Sequence, residues 1–234
     1  MSYTIESALP ADAAAIARVA TAEEPTPFRR LMNGTAGDND NMLQEETAMW
    51  AKVIDHPAHL VLVAREQDTG LVVSYAQWRR PGGEEPLHPS PDLATEEEKA
   101  KLRDRRLASL PAGMNGPLVL AFSEQVAALG RQGFQGRRRW YLNALGTLVT
   151  HRGRGLATQL VRWPFAEADR EGIIVGLFTD GEGRARALYQ RLGFRETARF
   201  VLELGAFGGG AEDRHVELAM VREPGASEEG RDGG

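Results

Sequence analysis

Leu145-Gly-Thr-Leu-Val-Thr-His-Arg-Gly-Arg-Gly-Leu-Ala-Thr-Gln-Leu-Val161 is the stretch of sequence that decides the fold. An apolar run typical of a strand passes into Arg152-Gly-Arg-Gly-Leu-Ala157 and then directly into a helical pattern. Glycines let the backbone approach a ligand closely, and the first N–H groups of a helix have no partner inside it. A phosphate group is favoured at such a position. The stretch therefore predicts a turn that binds a pyrophosphate.

Two common phosphate-binding motifs do not fit this turn. The Walker A loop requires Gly-Lys-Ser or Gly-Lys-Thr, and neither tripeptide occurs in the sequence. The dinucleotide fingerprint requires a third glycine or alanine, and Thr158 stands at that position. Too little chain follows the turn for a six-stranded nucleotide-binding sheet.

A second motif lies downstream, in Ala185-Arg-Ala-Leu-Tyr-Gln-Arg-Leu-Gly-Phe194. An alanine is followed four residues later by Tyr189, and Gly-Phe then opens the next strand. Together with the turn, in this order and separated by one helix and one strand, the segment resembles the GNAT acyltransferases. The resemblance extends over residues 2–221 in the order of elements and is specific across residues 142–195.

The resemblance implies acetyl-CoA as the co-substrate, with no metal ion. Leu145 and Thr147 would lie on a strand that splays from its neighbour, and its backbone would hydrogen-bond the pantetheine arm. The amides of the turn would bind the pyrophosphate; these residues are Arg152, Gly153, Arg154, Gly155, Leu156, Ala157 and Thr158. Glu182 replaces an asparagine frequent in the family, and we do not expect its carboxylate to bind the cofactor.

Tyr189 is the predicted catalytic acid by the same resemblance, since a protonated phenol can donate to the departing CoA thiolate. The alternative is a core tyrosine at helical spacing. The general base is open: Asn143 is a candidate for holding a water molecule, and Asp180 is a candidate carboxylate. His215 and Glu217 are further candidates on the last strand, where alternation places both on one face. The alternative is that this face is exposed to solvent.

Two tryptophans, Trp78 and Trp140, border the central insertion. Their positions at the end and start of predicted strands fit either of two roles. They line a partly apolar acceptor pocket, or they pack beneath the inserted helices.

The rest of the chain fits an α/β (α+β) fold with a mixed, mostly antiparallel sheet of about seven strands flanked by helices. We expect one domain over residues 1–222, with a helical insertion at 79–116 between strands 3 and 4, and a disordered tail over 223–234. Strands are predicted over 3–8, 59–65, 71–78, 139–150, 173–179, 194–204 and 215–221. Helices are predicted over 10–20, 39–54, 96–106, 117–131, 154–170 and 183–192. Pro164 should kink the helix that contains it.

Composition restricts the class of function. The 234 residues include no cysteine, which excludes disulfides and thiolate nucleophiles and favours a cytoplasmic location. Lys and Arg number 28 against 33 Asp and Glu, and the net charge of −5 argues against nucleic-acid binding. No apolar run is long enough for a membrane span.

The predicted function is transfer of an acetyl group from acetyl-CoA to a primary amine by direct attack in a ternary complex. The acceptor is a small-molecule or peptide amine, and the protein is a monomer or homodimer. Two alternatives stay open: an acyl-CoA-sensing module that binds without turnover, and a transferase that uses another acyl chain.

Overall fold

The computed structural model describes residues 2–22, 25–34, 42–82 and 95–226. Within this part of the chain, the strands are β1 (Tyr3–Ser7), β2 (His59–Glu66), β3 (Val72–Arg79), β4 (Arg139–Thr147), β5 (Ile174–Asp180), β6 (Arg195–Glu203) and β7 (Arg214–Arg222). The helices are α1 (Ala13–Thr21), α2 (Pro27–Asn33), α3 (Met42–Asp55), α4 (Glu96–Ala108), α5 (Gly116–Phe134), α6 (Leu156–Arg162), α7 (Phe165–Glu171) and α8 (Ala185–Arg191).

The strands form one seven-stranded sheet in the order β1-β2-β3-β4-β5-β7-β6. The β4–β5 pair is parallel, and the other neighbouring pairs are antiparallel. The parallel pair needs a crossover connection, which α6 and α7 supply. The prediction of a mixed, mostly antiparallel sheet flanked by helices is confirmed.

The parallel pair opens along its length. Its register joins β4 and β5 from Arg139 with Ile174 to Leu142 with Leu177. Beyond that point β4 continues beside β3 and β5 continues beside β7. We call the gap between residues 143–147 of β4 and 178–180 of β5 the fork. Consecutive residues of a strand direct their N–H and C=O groups to opposite sides, so every second residue of β4 presents these groups to the fork.

A β-bulge marks the point where the fork begins. Gln77 of β3 lies opposite Ala144, whereas Trp78 lies opposite Leu142, so Asn143 is the extra residue on β4. Bulges bend a strand and redirect its side chains. The bulge thus accompanies the departure of β4 from β5.

Each face of the sheet has its own helices. The α6 face carries a core of Trp78, Trp140, Leu177 and Leu218 beneath residues of α6, α7 and α8. On the other face, α1 and α3 contact β2 and β3, and α5 contacts β6 and β7. We call this second side the α5 face, and Tyr141, Phe178 and Ala219 lie on it beneath α5.

The predicted helical insertion between the third and fourth strands is present. Its first helix, α4, has a capping box in which Thr95 and Glu98 satisfy each other's backbone N–H groups, and its described side chains are mostly exposed. The helix that follows the insertion, α5, begins at the Asn115 cap and buries Leu118, Val126 and Leu129. The inserted helix α4 therefore extends into solvent, whereas α5 covers part of the sheet.

Three local predictions need correction. The helix predicted over 154–170 is two helices, α6 and α7, because Pro164 lacks the N–H that a continuous helix requires. The strand predicted to residue 150 ends at Thr147, since a short 3-10 turn, Val149–His151, follows. Sequence analysis missed α2, which begins at the Thr26 cap. Residues 39–41 of the second predicted helix lie outside the described residues.

The start of the predicted tail contacts the body of the protein. The Gly225 N–H donates to Asp169 Oδ1 at 2.8 Å, and Arg222 donates to the Ala226 carbonyl at 3.2 Å. Residues 227–234 of the predicted tail lie outside the described residues. In the described ranges, every helix is too short or too polar to cross a bilayer.

Candidate active site

The glycine-rich turn leads from β4 to α6 through two left-handed residues. Gly153 and Gly155 both have φ +75°, a conformation that other residues adopt only with strain. Gly155 is the N-cap of α6. A Cβ atom built on either glycine would have no neighbouring atom within 4 Å. The turn thus presents its backbone to open space at the start of α6, as a bound phosphate requires.

The Arg154 side chain ties this turn to the first strand. Arg154 Nη1 donates to the Tyr3 hydroxyl at 2.6 Å, and Nη2 donates to the Thr150 carbonyl at 3.2 Å. The guanidinium also lies 6.0 Å from the centroid of the Tyr3 ring. Arg154 therefore holds the shape of the turn in addition to adding positive charge to it.

A second contact anchors the turn to β2. His151 Nε2 lies 3.6 Å from Glu66 Oε1, and the Thr69 hydroxyl donates to Glu66 Oε2 at 2.7 Å. The Thr69 hydrogen bond, followed by the nearby His151, holds the pKa of Glu66 below its usual value against the opposing effect of desolvation. His151 thus packs inward beside the turn.

On β4, the predicted binding residues direct their side chains toward β3 or the core. Leu145 packs partly buried against the core of the α6 face. The Thr147 and Ser74 hydroxyls are 2.7 Å apart, and Ser74 also donates to the Gly146 carbonyl at 2.7 Å. With the side chains held in this way, the backbone is the part of these residues that faces the fork.

Asn143, at the bulge, is exposed. Its Nδ2 donates to Gln77 Oε1 at 2.9 Å. Its carbonyl oxygen is not used in that hydrogen bond, so the amide retains an acceptor for a water molecule.

Tyr189 lies on α8 and is 5% exposed, on the α6 face of the sheet. Its ring packs edge-to-face against Phe194 at 5.8 Å. Burial raises the pKa of the Tyr189 hydroxyl, so the phenol is protonated at neutral pH. The Tyr189 ring belongs to the core, as the alternative prediction of a core tyrosine states. The Tyr189 hydroxyl has the protonation state that a proton donor needs.

Asp180 ends β5 and shapes the turn that follows. Its Oδ1 accepts a hydrogen bond from the Glu182 N–H at 2.8 Å. The Glu182 carboxylate pairs with Arg214 at 3.4 Å. Asp180 lies opposite Glu217 in the β5–β7 register.

His215 and Glu217 are buried, and the expectation of a solvent face for them is wrong. They are 6% and 9% exposed, because α2 and α5 lie over this end of the sheet. His215 Nε2 and Glu217 Oε2 are 2.8 Å apart, and the Phe28 ring stacks on the imidazole at 3.8 Å. Alternation within β7 identifies the shared face, but the helices that cover it are distant in sequence.

Tyr141, which sequence analysis did not single out, also lies at the fork. It precedes Leu142, the last β4 residue paired with β5, and packs edge-to-face against Phe178 at 5.6 Å. Burial and then the negative charge of Glu217 raise the pKa of Tyr141. Its sequence context is that of an ordinary core tyrosine on a strand, so no local signal distinguishes it.

The two tryptophans are buried in the core of the α6 face. Trp78 and Trp140 are 0% and 2% exposed and pack edge-to-face at 6.4 Å. The Trp78 indole N–H donates to the Leu160 carbonyl of α6 at 3.2 Å. The packing interpretation is correct, but the covering helix is α6 and not one of the inserted helices. No group of three or more His, Asp or Glu side chains in the described ranges is arranged to hold a metal ion.

Comparison with known proteins agrees with this arrangement. The model of the Acetyltransferase (GNAT) family matches residues 28–194. No curated protein matches the chain.

Solved structures share the fold at low identity. The mosquito arylalkylamine N-acetyltransferase like 5b has a TM-score of 0.62 at 14% identity, over 95% of this chain and 100% of that one. The Drosophila melanogaster polyamine N-acetyltransferase has a TM-score of 0.59 at 15% identity, over 95% and 100%. The structure described as histone acetyltransferase HPA2 and related acetyltransferase from Corynebacterium glutamicum has a TM-score of 0.54 at 22% identity, over 97% and 99%.

The family model covers most of the chain and includes both the glycine turn and Tyr189. The protein is therefore a member of the GNAT acetyltransferase family.

Proposed function

We propose that the protein transfers an acetyl group from acetyl-CoA to a primary amine, by direct attack of the amine on the thioester in a ternary complex. The observation that carries this proposal is the combination of the fork and the glycine turn at its open end. An extended strand edge suits a pantetheine arm, and a glycine turn at a helix start suits a pyrophosphate. Both lie within the segment that matches the family.

The fit of acetyl-CoA rests on the space that these residues leave. The open positions above Gly153 and Gly155 are where the backbone would meet the pyrophosphate. The binding residues are then the amides of the turn, from Arg152 to Thr158. The backbone groups of Leu145 and Thr147 that β5 no longer faces would hydrogen-bond the pantetheine arm. Acetyl-CoA supplies an activated acyl group, and the protein positions this group and the amine.

The proposed reaction needs a proton donor and a positioned amine. Tyr189 is protonated at neutral pH and would donate to the departing thiolate sulfur. Strand N–H groups at the fork would stabilise the thioester oxyanion. Asn143 would hold a water molecule close to the reacting amine, and Asp180 would lie at the acceptor side. Holding the two reactants together supplies most of the rate.

Release of free CoA across a panel of primary amines tests this function. We expect amine-dependent release by the wild type and none by Gly155→Glu, in which a carboxylate side chain fills the phosphate position. Tyr189→Phe should bind acetyl-CoA normally and turn over about 100-fold more slowly, since it removes the proton donor alone.

Three results would contradict parts of the proposal. Undiminished activity of Gly155→Glu would refute the phosphate-turn assignment. Wild-type turnover by Tyr189→Phe would remove the tyrosine from the mechanism. Tight binding of acetyl-CoA without acceptor-dependent release would instead identify an acyl-CoA-binding module.

A further inference from the structure

Two titratable side chains, His215 and Glu217, are buried next to each other on β7. Their 2.8 Å contact lies among aromatic rings, with Phe28 stacked on the imidazole and the Phe122 ring 5.7 Å away. Removing a carboxylate and an imidazole from water costs desolvation free energy, and apolar residues of similar volume would avoid this cost. Active sites are one of the places where proteins bury paired titratable side chains, and structural ion-pair networks are the other.

The register places this pair beside the fork. Glu217 lies opposite Asp180, the last residue of β5. Phe178, two residues earlier on the same face, packs against Tyr141 where the β4–β5 pairing ends. Burial, and after it the negative charge of Glu217, raises the pKa of the Tyr141 hydroxyl. Glu217 therefore acts on the α5 face of the fork, whereas Tyr189 belongs to the α6 face.

The neighbouring polar groups are less suited to accept a proton from an amine. Asp180 Oδ1 is committed to the turn after β5, and Asn143 is an amide. Glu217 carries a carboxylate that, in the described part of the chain, pairs with an imidazole and with no arginine or lysine. An ammonium group is attracted both by this carboxylate and by the aromatic rings nearby.

We propose that Glu217 accepts the proton that an acceptor ammonium must lose before it attacks the thioester, and that His215 positions the Glu217 carboxylate. This inference rests on the acetyltransferase function proposed above. Glu217 would be a catalytic residue, and His215 a positioning residue that acts through it.

The proton balance of the proposed step is complete. One N–H bond of the ammonium breaks, and an O–H bond forms on the Glu217 carboxylate. The neutral amine then bonds to the thioester carbon, and the C–S bond breaks. After the attack the nitrogen loses a second proton. This proton goes to Tyr189 and replaces the proton that Tyr189 gives to the sulfur. The proton on Glu217 returns to solvent, so one proton is released for each amide formed.

Two acceptors that differ in charge test the assignment of Glu217. An alkyl primary amine is protonated at neutral pH and needs a base, whereas methoxyamine is neutral and does not. We expect Glu217→Gln to lower kcat/KM about 100-fold with the alkylamine and less than about 5-fold with methoxyamine. Glu217→Asp, which retains the charge on a shorter side chain, should lie between Glu217→Gln and the wild type. Glu203→Gln, an exposed carboxylate on β6, is the matched control and should leave both rates unchanged.

His215 variants test the positioning role. His215→Gln keeps a hydrogen-bond donor for Glu217 and should recover most of the alkylamine rate that His215→Phe loses. The loss should appear in kcat with the alkylamine and be small with methoxyamine. Equal losses with both acceptors would assign a structural role to His215 and overturn its positioning role.

Titration with acetyl-CoA separates this inference from the proposed function. Every Glu217 variant should bind acetyl-CoA as tightly as the wild type, because the turn and β4 are unchanged. If the Glu217 variants lost equal activity with both amines, or if Glu217→Gln and Glu217→Asp lost none, the assignment of Glu217 would be overturned. The proposed function would not be affected by either result. A wild type that releases no CoA with any amine would overturn the proposed function, and this inference with it.

Discussion

Replacing Gly155 by alanine should weaken acetyl-CoA binding in addition to lowering the stability of the fold. At φ +75° a side chain is strained by about 1–2 kcal/mol. No atom lies within 4 Å of the added methyl group, so steric overlap adds nothing to this cost. The methyl group would occupy the space where the backbone meets the pyrophosphate. Losing one charge-assisted hydrogen bond there costs about 1.5–3 kcal/mol, or about 10- to 150-fold in the dissociation constant.

Gly172 provides a matched control for the backbone strain. It follows α7 with φ +65°, and a Cβ atom there also meets nothing within 4 Å. Gly155→Ala and Gly172→Ala should therefore lose similar stability, with Tm lower by about 2–8 °C in thermal unfolding. In calorimetric titration with acetyl-CoA, only Gly155→Ala should lose affinity. If it bound within two-fold of the wild type, or if Gly172→Ala lost as much affinity, the turn would not be the phosphate site.

Two further predictions concern the ion pair between α7 and β7 and the contact beside the glycine turn. Asp169→Asn should lower the free energy of unfolding by about 2 kcal/mol, less than the roughly 3–5 kcal/mol of a fully buried pair, because the carboxylate that binds Arg222 is 35% exposed. Arg222 lowers the pKa of Asp169, so the stabilisation by this pair is present above the unfolded-state pKa of the carboxyl and is lost as the pH falls through the folded-state pKa. In urea unfolding at a series of pH values, Asp169→Asn should lack this pH-dependent part of the stability. Glu66→Gln should weaken acetyl-CoA binding about two- to five-fold by releasing His151 beside the turn, and an unchanged titration would show that this contact does not support the turn.

The sequence signals for the proposed cofactor end of the molecule are local. The glycines at 153 and 155, Tyr189 and the alternating strands lie within one short stretch of chain, and each has a recognisable physical purpose. The break at Pro164 was also foreseen as a kink, since the missing N–H is a property of that residue alone. The seven strands followed from apolar patterns with turns between them.

The predictions that failed depended on contacts between distant segments. Alternation places His215 and Glu217 on one face, but burial there comes from α2 and α5. Trp78 looked equally suited to a pocket or to a core, and only the position of α6 decides between them. Short α2 escaped detection because seven residues carry too little periodicity to distinguish a helix from a turn.

The packing of α5 explains why the proposed acceptor side is less visible in the sequence than the proposed cofactor side. At Gly133 of α5 a Cβ atom would lie 2.4 Å from Ala219 Cβ, so α5 packs tightly on β7. That packing buries the α5 face around Glu217 and creates a weakly hydrated setting in which a carboxylate interacts strongly with a nearby cation. The residues that bind a cofactor can form one short motif, because a turn and a strand edge are enough to bind it. The proposed acceptor site, assembled from α2, α5 and β7, has no such motif, and its chemistry emerges only when the three elements are brought together.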